Sequence, residues 1–141
     1  MTVNQILNKK GSGVVTVLPF ITVFKAIQVM CDQNIGAILV IEDGLLKGIL
    51  TERDYARKVV LKDKTSKNTL VHEIMETNLT VVSLNDSIDH CMELMSRQRV
   101  RHLPVLEGET VVGIISIGDV VQAIIEVQKN TIEQLNLYIT Q

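Results

Sequence analysis

The chain reads as an α+β protein of two β-α-β-β-α repeats packed with pseudo-two-fold symmetry, and three features predict this. The segment Val17 to Val60 aligns without a gap on Val82 to Ile125 at a constant offset of 65 residues, and an internal repeat constrains an architecture more than any single motif can. In each copy a stripe of helical period gives way to two short β-rich runs. Each copy then ends in Gly-x-x-(Thr/Ser)-x-x-Asp, first as Gly48, Thr51 and Asp54 and again as Gly113, Ser116 and Asp119.

The elements follow in order. In copy one Val23, Ala26, Ile27 and Met30 recur at i, i+3, i+4 and i+7, and copy two repeats the stripe as Ile88, Cys91, Met92 and Met95, so both stretches predict amphipathic helices with the methionines in the core. Thr22 and Ser87 stand just before them, where a side-chain oxygen can accept from the first-turn N–H groups. Runs from Ala37 to Ile41 and from His102 to Leu106 lead into turns at Asp43-Gly44 and Glu107-Gly108. Second runs, Leu46 to Leu50 and Val111 to Ile115, complete a hairpin-like pair in each copy. Closing helices begin near Glu52 and Ile117, and Val59-Val60 and Ile124-Ile125 make them apolar on one side, as packing onto a small sheet requires.

The connections are polar. Lys62 to Thr69 predicts an exposed linker. Before each copy stands a short related segment, Val3 to Leu7 and Val71 to Met75; Val3 to Val14 spans 11 positions where Val71 to Leu79 spans 8. The surplus falls in a glycine-rich stretch, Lys10-Gly11-Ser12-Gly13, which the sequence reads as a loop. The organisation is repeat one over 1–61, a linker at 62–70, repeat two over 71–128 and a helical extension at 129–141, whose Ile132, Leu135 and Ile139 need cover from the body or from a second chain. A half of this size buries too little surface to be comfortably stable alone, so the halves should pack together.

Composition narrows the function. A net charge of −2 and an aromatic content of 3% argue against a nucleic-acid surface, which needs positive charge and stacking platforms. No apolar run reaches the length of a signal peptide or a membrane span, so a cytoplasmic, non-membrane protein is expected. Cys31 and Cys91 fit no metal spacing and read as reduced thiols, Cys91 in the core and Cys31 partly exposed. His90 beside Cys91 suggests no site, because helical neighbours point about 100° apart. No nucleophile with a positioned base is evident, so catalysis is not expected.

A glycine within a β run, as at Gly48 and Gly113, marks a place where another backbone or a ligand comes close. Thr51 and Ser116 then sit at strand-to-helix junctions, where a hydroxyl and free N–H groups can hold a phosphate oxygen. Asp54 and Asp119 follow in the first helical turn, with two acceptor oxygens that match the vicinal hydroxyls of a ribose. The same residues also suit a structural part, since Thr or Ser is a good N-cap and an acid in the first turn complements the helix dipole. The residues alone leave the two readings level.

The runs Gly48-Ile49-Leu50-Thr51-Glu52-Arg53-Asp54, Arg99-Val100-Arg101-His102-Leu103-Pro104-Val105 and Gly113-Ile114-Ile115-Ser116-Ile117-Gly118-Asp119 resemble the cystathionine beta-synthase (CBS) domain family, and the repeat resembles its tandem pair, the Bateman module. The resemblance covers nearly the whole chain and is strongest to stand-alone CBS-pair proteins. It implies a regulatory module with two pseudo-symmetric clefts between the copies, for AMP, ADP, ATP, NAD(H) or S-adenosylmethionine, acting on an unidentified protein in trans and commonly as a homodimer. It implies ribose contacts at Asp54 and Asp119, and ribose or phosphate contacts at Thr51 and Ser116. Adenine would lie against Val14, Val15, Thr16, Ile38, Leu79, Thr80, Val81 and Leu103. The basic residues Arg53, Arg99, Arg101 and His102 would serve the phosphates. Arg101 and His102 align with Gly36 and Ala37, and Arg53 with Gly118, so unequal loading of the two clefts is expected. The rivals are an interaction scaffold whose clefts stay empty, a redox-linked sensor of nicotinamide dinucleotide, and an S-adenosylmethionine sensor.

Overall fold

The computed structural model describes residues 1–11 and 13–140. Ser12 of the glycine-rich loop and Gln141 at the end of the tail lie outside the described residues. The order is α1 (Val3–Lys10), β1 (Thr16–Val17), α2 (Val23–Gln33), β2 (Ala37–Glu42), β3 (Leu45–Thr51), α3 (Glu52–Tyr55), a π-helical turn (Ala56–Val60), α4 (Val71–Ile74), α5 (Ile88–Gln98), β4 (His102–Glu107), β5 (Thr110–Ser116) and α6 (Ile117–Thr140). Interleaved helices and strands make it α+β, as the repeat predicts.

The ends of α2 and α5 show how closely the copies agree. Thr22 Oγ1 accepts from the Lys25 N–H at 3.2 Å and Ser87 Oγ from the His90 N–H at 3.1 Å. At the other end Asn34 and Arg99 adopt left-handed φ values of 54° and 55°. This lets the Ile35 and Val100 N–H groups reach back to the carbonyls of Met30 (3.0 Å) and Met95 (3.1 Å), satisfying acceptors that a helix terminus otherwise leaves open.

The chain divides into two compact units. One comprises Gly13–Leu79 with Gly108–Val111, and the other Met1–Ser12, Thr80–Glu107 and Val112–Gln141. In the first, β1 runs parallel to β2 and β2 antiparallel to β3. Asp43 and Gly44 both take positive φ, 53° and 75°, as a type I′ hairpin turn demands. Val40 opposes Gly48 while Ile41 opposes Leu46, so Lys47 is the extra residue of a bulge. Val23, Ala26 and Met30 of α2 join Ile38, Val40, Leu50, Val59, Val71 and Ile74 in one buried core. In the second unit β4 and β5 form a two-stranded sheet, to which Val82 adds a single parallel bridge at Val105. Its core gathers Val3, Ile6 and Leu7 with Ile88, Cys91, Met95, Leu103, Val105, Ile115, Val120 and Ala123.

The units cut across the repeats both at Gly108–Val111 and at the first helix. Helix α1 precedes copy one in sequence but packs with copy two, as α4 packs with copy one, and the hydrogen bonds correspond position by position. Val71 N–H donates to the Ile21 carbonyl (2.9 Å) and His72 N–H to Pro19 (3.0 Å), while Val3 N–H donates to Asp86 (2.9 Å) and Asn4 N–H to Leu84 (2.9 Å). Each copy thus takes a short helix as an arm that closes its core.

Two expectations need correction. The linker is not wholly exposed: Thr69 is 3% exposed, its hydroxyl donates to the Thr65 carbonyl at 2.7 Å, and the Thr69 and Ser66 carbonyls accept the N–H groups of Val23 and Phe24 at the start of α2. Backbone polar groups drawn toward a core must be paired, and these bonds pair them. The first closing helix is also irregular, because after one turn the Leu61 N–H bonds to the Ala56 carbonyl five residues back, at 3.1 Å, which is π-helical spacing. Val59 goes into the core while Val60 remains 55% exposed.

Candidate functional site

Each unit carries one strand-to-helix junction of the repeated motif. The junction is fastened to the residue that precedes the middle strand: Glu52 N–H donates to the Gly36 carbonyl at 3.1 Å, and Ile117 N–H to the Arg101 carbonyl at 2.8 Å. The motif glycines answer the choice left open by the sequence. A Cβ on Gly48 would lie 2.7 Å from Met75 Sδ and 2.9 Å from the Glu76 carbonyl oxygen, and one on Gly113 would lie 2.7 Å from Leu7 Cδ1. The close neighbour is the arm of each copy, backbone and side chain in one and side chain in the other.

In the first unit Thr51 and Asp54 form a reciprocal cap. Thr51 Oγ1 accepts from the Asp54 N–H at 3.1 Å, and Asp54 Oδ2 accepts from the Thr51 N–H and hydroxyl, each at 3.0 Å. Lys58, one turn on, brings its ammonium to 3.2 Å from Asp54 Oδ1 and donates to the Ile74 carbonyl at 2.9 Å. The Asp54 side chain is 12% exposed. In the second unit Ser116 Oγ accepts from the Asp119 N–H at 3.1 Å, and Asp119 Oδ2 accepts from the Ser116 N–H at 2.9 Å. Lys10, at the end of α1, donates to Asp119 Oδ2 at 2.6 Å and to the Ile114 carbonyl at 2.8 Å. Burial of the Asp119 carboxyl works to raise its pKa. The Lys10 hydrogen bond, the Ser116 bonds and the Lys10 charge outweigh it and hold the group below the ordinary carboxylate value.

The structural part of the motif is therefore present in both copies, and each carboxylate keeps a lysine beside it. Neither lysine stands out in the sequence motifs. Lys58 had a local signal, the i, i+4 spacing from Asp54; Lys10 stands 109 residues from its partner, beyond the reach of any local pattern.

The other candidates divide. Arg101 is exposed and adjoins the second junction through its carbonyl, where copy one has Gly36. Arg53 is exposed in the first turn of α3, and His102 is half-buried at the start of β4. Arg99 supplies the left-handed backbone that ends α5. Val14, Val15, Leu79 and Thr80 are half-buried, and Thr16 and Val81 exposed. Ile38 and Leu103 are 1% and 0% exposed within the two cores. Their side chains are given over to packing and present no surface to an adenine.

The CBS domain family model matches residues 3–61 and 71–126. The chain is 39% identical over 123 residues to the mitochondrial CBS domain-containing protein CBSX3 of Arabidopsis thaliana, an alignment covering 84% of this chain and 60% of that longer relative. The solved CBS-domain structure of NE2398 superposes with a TM-score of 0.86 at 48% identity, covering 89% of this chain and 98% of that one. The CBS domain pair of MJ0100, solved with 5′-methylthioadenosine and S-adenosyl-L-methionine, superposes with a TM-score of 0.77 at 25% identity, covering 88% and 95%. With both repeats matched, this chain belongs to the CBS domain family as a tandem pair of CBS domains.

Proposed function

We propose that this CBS pair is a regulatory module that binds an adenosine-containing ligand (AMP, ADP, ATP or NAD(H)) at its motif carboxylates and acts on a partner protein in trans. The observation that carries this reading is the pair of partly buried aspartates, each fixed by its own helix cap at the end of a strand, in a family whose member MJ0100 is solved with adenosine derivatives. A cap holds a carboxylate in one orientation before any ligand arrives, so little ordering cost remains on binding.

The two sites are not equal. A carboxylate offers about four lone-pair positions. Each motif carboxylate already uses some of them on its own cap and on a lysine, Asp54 on Thr51 and Lys58 and Asp119 on Ser116 and Lys10. Asp119 is also more open, its side chain 22% exposed against 12% for Asp54. The more open carboxylate is the readier to meet vicinal ribose hydroxyls, so the Asp119 site fills first. Arg101 beside that junction favours a phosphate-bearing ligand.

A second reading, S-adenosylmethionine as the ligand, is favoured by the ligands of MJ0100. Calorimetric titration with AMP, ATP, NADH and S-adenosylmethionine separates the two. A ligand at about 100 times its dissociation constant stabilises the folded chain by roughly 2.7 kcal/mol. Binding by none of the four would leave the interaction scaffold as the function. A ligand moves such a module only as far as it binds one of its conformations better than another.

A further inference from the structure

We propose that α6 pairs with α6 of a second copy of this chain as a parallel, in-register, two-stranded coiled coil. This goes beyond the nucleotide reading and does not depend on it. The first turns of α6 are anchored by Val120 and Ala123, 0% and 4% exposed in the core of their unit. From residue 127 to 140 every position is exposed. Along the uncovered side Val121, Ile125, Gln128, Ile132, Leu135 and Ile139 recur at alternating steps of four and three. That 3.5-residue period is the seam of a coiled coil, with Val127 and Leu137 as further exposed apolar residues off the seam. The apolar members are left 43%, 40%, 57%, 56% and 77% exposed in that order.

The pattern also names the occupant. Ile125, Ile132 and Ile139 take the a positions and Val121, Gln128 and Leu135 the d positions, and β-branched residues at a with leucine at d favour two parallel strands. The flanking positions are Gln122, Ile124, Lys129, Thr131, Asn136 and Tyr138. They carry a single charge, so nothing repels an identical helix laid alongside in register. Gln128 then faces its own counterpart, a polar pair that penalises a shifted register. The seam from Val121 to Ile139 runs about 28 Å at 1.5 Å per residue.

The test is the mass of the full chain by sedimentation equilibrium, with two variants at exposed positions that leave both cores untouched. The wild-type chain is expected as a dimer. Ile132→Glu with Leu135→Glu should raise the dissociation constant by roughly 100-fold or more, since each large apolar side chain taken out of a seam forfeits more than a factor of ten. Leu135→Cys in a Cys31→Ser background should form an interchain disulfide on mild oxidation, because a d position faces itself only in a parallel, in-register pair. A monomeric wild-type chain overturns the proposal. So does a double variant that stays dimeric, which would place the contact elsewhere, or a dimer of the Leu135→Cys variant that fails to cross-link.

Discussion

A single methyl group at Gly48 tests how tightly the motif strand is held by the arm of its copy. In Gly48→Ala the new Cβ would stand 2.7 Å from Met75 Sδ, 2.9 Å from Met75 Cγ and 2.9 Å from the Glu76 carbonyl oxygen. The methionine side chain can swing aside. The carbonyl cannot, because it accepts the Ile49 N–H at 3.0 Å while the Glu76 N–H donates to the Ile49 carbonyl at 2.9 Å. Moving it to ordinary contact distance, an outward shift of about 0.5 Å, weakens both bonds, at roughly 0.5–1.5 kcal/mol each. Overpacking adds about 1–3 kcal/mol, and replacing glycine within a strand returns about 0.5–1 kcal/mol. The net expectation is a loss of about 2–4 kcal/mol. Gly113→Ala meets only the Leu7 side chain, at 2.7, 2.8 and 3.3 Å, and should lose about 0.5–2 kcal/mol by the same overpacking and strand terms. Urea unfolding of the two variants beside the parent chain measures both. A Gly48→Ala protein as stable as Gly113→Ala, or as the parent, would refute the claim that the Glu76 backbone limits the space there.

Three further outcomes follow from the site and the cores. The folded state holds the Asp119 pKa down, so its stabilising contribution is complete above the unfolded carboxylate value near 3.9 and is lost as pH falls through the folded value. Urea midpoints between about pH 2 and pH 6 should show a shallower acid limb in Asp119→Asn and in Lys10→Met, and an unchanged limb would contradict the ion pair. Thr51→Ala removes an N-cap and should cost about 1 kcal/mol, read from the same unfolding curves; no loss would mean that the cap is idle. Burial first, then the Asp86 charge, pushes the Cys91 thiol up to about 11 against the opposing effect of a backbone hydrogen bond, while Cys31 is exposed. Iodoacetamide at mildly alkaline pH should therefore add one group per native chain, at Cys31 by peptide mass mapping, and native labelling of Cys91 would show that its core opens.

Much of this was legible because the chain states it twice. The caps at Thr22 and Ser87, the stripes of α2 and α5, the Asp43-Gly44 turn and the onset of the closing helices follow from local spacing and local hydrogen bonding, which a sequence displays directly. What escaped depends on contacts between distant residues. The related arms Val3–Leu7 and Val71–Met75 are visible as echoes, but nothing local tells that α1 packs with the second copy. Lys10 beside Asp119 follows from that packing alone. Ile38 and Leu103 lie on strands that the family resemblance sets against adenine; a strand run does not say which of its residues the core takes. The linker's polar composition is silent about the backbone bonds that Ser66 and Thr69 make to α2. At the site, the capping geometry was the structural alternative already set beside the ligand reading.

The most direct measurement is calorimetric titration of AMP into the parent chain, Asp119→Asn and Asp54→Asn, each first shown to be folded. Loss of a charge-assisted bond to ribose should weaken binding roughly 10- to 100-fold in Asp119→Asn, with a smaller effect in Asp54→Asn. Parental affinity in both variants would contradict the assignment of these carboxylates to the ligand and leave them as helix caps alone.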